Sequence, residues 1–151
     1  MADVDYPLIN GVAFEGSSVK IRILKSYYRG IQSITYGDAL EPNYVYELGS
    51  VEPIAMTVGQ YKPDDIAVEI LRERADAIRA ALAANGVPWG MFPFAITIHY
   101  DEIGNTPVSD VISGSRVTKV GNEAKAGPEA LMEKWTIKPM KLKRNNYYLY
   151  K

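Results

Sequence analysis

Along most of the chain, apolar and polar positions alternate with a period of two, the signature of half-buried strands. Val19, Ile21 and Ile23 alternate with Lys20 and Arg22, predicting a strand with one apolar and one basic face. Tyr27–Tyr36 predicts a second strand, but Ile31 and Ile34 are three apart, so a bulge is expected near Gln32–Ser33. Ile54, Met56 and Val58 predict another strand ending at Gly59, and Ile66, Val68 and Ile70 one over about 65–70. Phe94, Ile96, Ile98 and Tyr100 form the clearest alternation, with Ala95, Thr97 and His99 on the other face. Asp101–Pro107, with Gly104-Asn105, predicts a hairpin turn. Val108–Val120 returns, interrupted at Ser113-Gly114-Ser115, and Leu131–Met140 places Leu131, Glu133, Trp135 and Ile137 on one face.

One stretch breaks this rule. Leu71, Ala75, Ile78 and Leu82 recur at spacings of four, three and four, which predicts an amphipathic helix over about 71–85. Gly86 follows as a stop, because glycine reaches the left-handed conformation that closes a helix end. With roughly seven to nine strands, one helix and hairpin-length turns, the expected fold is mainly β (α+β). It is an antiparallel β-barrel or sandwich with one flanking helix.

The less regular segments are the N-terminal 17 residues, the loop 121–127, the C-terminal tail and the stretch from Gly37 to Pro53. The first is expected to be an arm of turns with a short strand near Val12–Phe14. Gly37–Pro53 reads as a long hairpin arm whose apolar content, including Leu40, Tyr44, Tyr46, Leu48 and Val51, is high for a solvated loop. Such a segment either lies on a partner or folds back on its own sheet. The tail after Lys141 is basic and then aromatic, an extra strand or a mobile end.

A chain of 151 residues is expected to form a single domain spanning 1–151. A net charge of −1 gives no global reason to bind nucleic acid or an anionic membrane, and the absence of cysteine excludes disulfides and thiolate metal sites. The start of the chain lacks the basic and apolar regions of a signal peptide, and no apolar run approaches the ~20 residues of a membrane helix. Eleven tyrosines stand against three phenylalanines. Tyrosine suits half-exposed sheet faces and interfaces, and β-propensity alone accounts for it equally well.

Chemistry is sparse. There is no metal-binding histidine pair, nucleophile elbow or phosphate loop. His99, the one histidine, lies opposite the core face of its strand, and Asp64-Asp65 and Asp101-Glu102 are turn carboxylates of the solvated kind. Lys138, Lys141, Lys143 and Arg144, followed by Tyr147, Tyr148 and Tyr150, form a basic, aromatic cluster. It fits an edge, an acidic partner or, less well, nucleic acid. No catalytic residue, cofactor or metal is expected, and the residues argue for an interaction or structural protein.

Several segments resemble the tail tube proteins of long-tailed, contractile bacteriophages. They are Tyr36-Gly37 through Pro53-Ile54; Gly59-Gln60-Tyr61-Lys62 leading into a strand and helix; Phe94–Tyr100 with the following turn; and Ser109–Val117. The resemblance covers about two thirds of the chain. It implies a structural virion protein, assembled in the host bacterial cytoplasm, whose copies close into hexameric rings. The rings stack into a hollow tube through which DNA passes without sequence-specific binding, and the hairpin arm contacts a neighbouring subunit. It also implies sheath, baseplate and tail terminator proteins as partners, and no membrane. The expected lumen is polar or acidic, with Lys141, Lys143 and Arg144 turned toward a partner. A tube of a related injection system or a tube-initiating baseplate protein is the near alternative. A monomeric ligand-binding β-barrel is the alternative of another class.

Overall fold

The computed structural model describes residues 19–24, 26–101 and 106–149. The expected N-terminal strand near Val12–Phe14, the turn at Gly104-Asn105, and residues Glu102 and Tyr150 lie outside them.

Among the described residues, thirteen strands and one α-helix follow in order. They are β1 (Val19–Ile23), β2 (Ser26–Tyr27), β3 (Ile31–Thr35), β4 (Asp38–Glu41), β5 (Tyr44–Val45), β6 (Ala55–Met56), β7 (Gln60–Pro63), β8 (Ile66–Leu71), α1 (Arg72–Ala83), β9 (Phe94–Tyr100), β10 (Val108–Asn122), β11 (Met132–Lys138), β12 (Lys141–Arg144) and β13 (Tyr147–Tyr148). The main sheet has nine strands, in the order β2-β1-β9-β10-β11-β8-β3, with β12 and then β13 branching from β10. Every pairing is antiparallel. The fold is therefore mainly β with one helix, as the alternation predicts. Among the described residues no closed barrel is formed: the terminal strands β2 and β3 of the main path do not pair with each other.

The sheet turns a corner on β10. Asp110–Ser113 pairs with β12, and Arg116–Asn122 pairs with β11. Core-facing positions run Asp110, Ile112, then Ser115 and Val117, so the phase slips by one residue at Ser113-Gly114. A strand of strict period two would turn its second half inside out there. The slip is a bulge, with Gly114 at φ +67°, that keeps both halves on the core. A bulge also lies between Ile31 and Ser33, where the uneven spacing of β3 places it.

The core is one cluster. Ile21, Ile23, Phe94, Ile96, Ile98, Ile112 and Leu142 come from one arm of the bent sheet, and Ile66, Val68, Ile70, Val117, Trp135 and Ile137 from the other. Helix α1 adds Ala75, Ile78 and Leu82, all fully buried. Leu71, expected on this stripe, instead ends β8 opposite Met132. The β-branched run wins over the helix period, and the helix begins one residue later. Its first amide, Arg72 N–H, is capped by the Leu131 carbonyl at 3.1 Å. Gly86, at φ +80°, donates its N–H to the Ala83 carbonyl and ends the helix.

The tail folds into a hairpin. Asn145 and Asn146, at φ +46° and +70°, make the tight turn between β12 and β13.

Candidate assembly surfaces

Strands β4 and β7 form a separate two-stranded ribbon, continued outward by the pair β5 and β6. The chain thus runs out and back from Asp38 to Pro63 as one long hairpin. Ile54, Met56 and Val58, expected to form a strand ending at Gly59, lie on its return limb, where Ala55–Met56 is the strand formed, and are exposed. Proline and glycine explain this: Pro53 and Gly59 isolate the segment from longer pairing, and Gly59 adopts φ +97°.

The candidate residues divide between root and tip. Leu40 is half-buried at the root, opposite Tyr61. Tyr44 and Tyr46 are exposed, their rings edge-on at 6.5 Å, and Leu48 and Val51 are completely exposed at the tip. These exposed apolar side chains form the candidate contact surface of the ribbon.

A polar clamp fixes the root. Asp38 accepts hydrogen bonds from the Tyr61 hydroxyl at 2.7 Å and from Arg144 Nη1 at 2.6 Å. The Tyr61 oxygen in turn accepts the Leu142 N–H at 3.0 Å. Beside it the Tyr36 hydroxyl donates to buried Asp110 and lies 2.5 Å from the Tyr100 hydroxyl. Burial, then the bond to Asp110, pushes the Tyr36 hydroxyl far above the usual tyrosine range. Burial and the bond to Asp38 push Tyr61 up as well, and the Asp38 bond raises Arg144. The sequence does not show that these residues meet, because each partner is distant in the chain.

The basic cluster does not act as a unit. Arg144 is taken up by Asp38, Lys138 lies at the end of β11, and Lys141 sits 4.1 Å from the Tyr148 ring centroid, with Lys143 at 5.7 Å. His99 Nδ1 lies 2.6 Å from the Ser109 hydroxyl, and its ring tilts against Tyr27. Asp64 and Asp65 are exposed after β7, and Asp101 is exposed after β9. Among the described residues no group of three or more His, Asp or Glu side chains is placed to hold a metal ion.

No protein-family model matches the sequence, and no curated protein sequence matches it either. Solved structures do match in shape. A chain of the anti-feeding prophage cap, the tube-terminating cap, aligns over 95% of this chain and 94% of its own, with a TM-score of 0.69 and 12% identity. A chain of the PVC sheath–tube complex of an extracellular contractile injection system aligns over 92% and 91%, with a TM-score of 0.65 and 13% identity. Hcp1 from Flavobacterium johnsoniae aligns over 88% and 98%, with a TM-score of 0.57 and 12% identity. At these identities the likeness is one of fold, and it extends over nearly the whole length of each chain: the protein has a tail-tube-like fold.

Proposed function

We propose that this chain is the building block of a hollow tube in a contractile particle, a structural protein and not an enzyme. Copies close into hexameric rings, and the rings stack. DNA passes along the bore during ejection without sequence-specific binding. The tube meets a sheath, a baseplate and a terminator protein in the virion tail, and it assembles in the host cytoplasm. The fold supports the tube, and the arm is the observation that carries self-association. Tyr44, Tyr46, Leu48 and Val51 are held out in solvent on a ribbon whose root is clamped, and Leu40 secures that root. The sheet edges at β3 and at the short strand β2, unpaired among the described residues, give neighbouring copies a second means of joining. Because the arm and its receiving surface differ, the contact is heterologous and propagates.

The injection-machine reading is favoured by the matched structures themselves, which include an extracellular contractile injection system and Hcp1. There the same tube would carry a cargo other than a genome. A ligand-binding barrel is less well supported, because the sheet does not close on itself and its interior is filled by the core cluster.

Negative-stain microscopy and sedimentation test the proposal. The parent chain is expected to give rings or hollow fibres as concentration rises. Replacing residues 43–57 by an Asn-Gly turn keeps the β4–β7 ribbon and is expected to leave a folded monomer. A parent that stays a 16.8 kDa monomer at high concentration overturns the tube.

A further inference from the structure

The outward side of the sheet formed by β1, β9, the first half of β10 and β12 has an unusual charge. Strand register aligns Arg22, Thr97, Val111 and Lys143 in one row across it. Lys20, His99 and Ser109 form the next row, and Ser113 faces Lys141 beyond. The paired outward positions therefore hold four cations and no carboxylate, in a chain whose net charge is −1. The one acidic residue of the paired segments, Asp110, points inward to Tyr36. Two polar atoms here, Arg22 Nε and His99 Nε2, are buried with no hydrogen-bond partner among the described residues. The charge this face presents to a partner is carried by the outer ends of Lys20, Arg22, Lys141 and Lys143, for which carboxylates are the fitting counter-groups. Val111 at the centre and Tyr148 over the two lysines make the face partly apolar.

The arm carries the opposite sign. From Ala39 to Tyr61 it contains Glu41, Glu47 and Glu52 and no Lys or Arg. Glu41 pairs with Lys62 at the root, at 3.7 Å, whereas Glu47 and Glu52 flank the apolar tip without an ion pair among the described residues. Both surfaces thus combine one sign of charge with at least partly exposed apolar groups, and among the described residues no group of opposite charge pairs with Glu47 or Glu52.

We infer that this basic sheet face is the receptor for the arm tip of a second copy, with Glu47 and Glu52 set among Lys20, Arg22, Lys141 and Lys143 and with Leu48 and Val51 against Val111 and Tyr148. This rests on the tube reading and adds the surface the arm meets. Each copy gives one arm and receives one, so the contact is heterologous: it closes a ring where the rotation between copies closes and runs on along the tube where it does not. Opposed potentials fix which surfaces meet and suppress wrong registers.

The chain has no cysteine, which makes disulfide trapping direct. In full-length protein carrying Ser50→Cys at the tip and Ser113→Cys on the face, mild oxidation is expected to give a ladder of linked dimers and higher species. Ser50→Cys with Lys125→Cys in the distant loop is expected to give none. In parallel, Glu47→Lys with Glu52→Lys, and separately Lys141→Glu with Lys143→Glu, are expected to lower the assembled fraction about tenfold, and the four changes together to restore it. Assembly by the lysine-reversed variant at parental level overturns the inference, as does failure of the fourfold variant to recover. So does loss by that lysine-reversed variant of binding to a short DNA duplex with assembly intact, which would make the face a polyanion surface. Tubes without the linked ladder sink this inference alone, while a ladder without tubes supports it and sinks the tube. A parent that neither links nor assembles removes both.

Discussion

Arg144, in the C-terminal hairpin, reaches Asp38 at the root of the arm, 106 positions earlier in the chain, with Nη1 2.6 Å from Oδ1. The Asp38 side chain is 1% exposed and that of Arg144 46% exposed, so the carboxylate is the dependent partner. A buried charge that loses its counterion costs more than the pair itself gains. The pair also joins the ribbon to β12, so the direction of the arm is fixed by the last ordered strands of the chain.

Replacing Arg144 with Met keeps the apolar stem and removes the charge. Asp38 retains the Tyr61 hydroxyl, so the expected loss is about 1–3 kcal/mol in a denaturant titration. Adding Asp38→Asn should recover part of it, because the uncompensated charge is gone. Additive effects of the two changes would show that the residues are not coupled.

A second buried carboxylate ties the helix to the sheet. Glu133 is fully buried on β11 and accepts hydrogen bonds from Arg79 and, at 2.8 Å, from Trp135 Nε1, while Arg72 Nε lies 3.7 Å away. The Arg79 guanidinium also lies over Trp89 and Trp135, at 5.0 and 5.9 Å from their centroids. Arg79→Leu leaves the buried Glu133 carboxylate with only the Trp135 N–H and the longer Arg72 contact and is expected to cost about 1–3 kcal/mol, whereas Arg79→Leu with Glu133→Gln should cost less. Equal losses in the single and double variants would refute this account of the cluster.

The body of the fold is written in local periodicity, which is why β8, β9, β11 and α1 are legible in the sequence. Ile66, Val68 and Ile70, or Phe94, Ile96 and Ile98, need only their own spacing to declare a buried face. The bulge in β3 is legible for the same reason, since Ile31 and Ile34 break the period. What local pattern does not carry is which alternating segment joins the body. Ile54, Met56 and Val58 alternate as a core strand does, yet they are solvent-exposed in the isolated chain. The clamp is equally silent in the sequence: Asp38, Tyr61 and Arg144 are ordinary residues until the fold brings them together. Barrel closure is a global property, decided by whether β2 and β3 meet, and no local spacing encodes it.

Tyr36 gives the protein a specific alkaline weakness. Its hydroxyl is held in neutral form well above the ordinary tyrosine value. The unfolded chain releases that proton near pH 10, whereas the folded chain keeps it, so stability is intact below about pH 10 and falls above it. Tyr36→Phe leaves Asp110 short of a donor and is expected to cost about 1–2 kcal/mol at neutral pH. The same change should flatten the decline of stability above pH 10 relative to the parent. Tyr61, raised in the same direction, should add to the flattening when also changed to Phe. Parallel pH profiles for parent and Tyr36→Phe would show that this hydroxyl does not carry the effect.

Gly59 separates the stability of the body from the shape of the arm. It adopts φ +97°, and a Cβ there would lie 2.7 Å from the Pro42 nitrogen and 2.8 Å from the Glu41 carbonyl carbon and oxygen. These are backbone atoms of the facing limb, so nothing flexible can yield. Gly49, at φ +84° in the tip, has no atom within 4 Å of such a Cβ, so substitution there meets only the conformational cost of about 1–2 kcal/mol. Gly59→Ala is therefore expected to splay β4 from β7 and abolish assembly, with Gly49→Ala affecting it less. The unfolding midpoint reported by Trp135 should barely move in either variant, because the core cluster includes no residue between Asp38 and Pro63. If Gly59→Ala assembles like the parent, the ribbon's geometry does not govern association. If instead the Trp135 midpoint collapses, the arm is part of the folding unit and not an appendage of it.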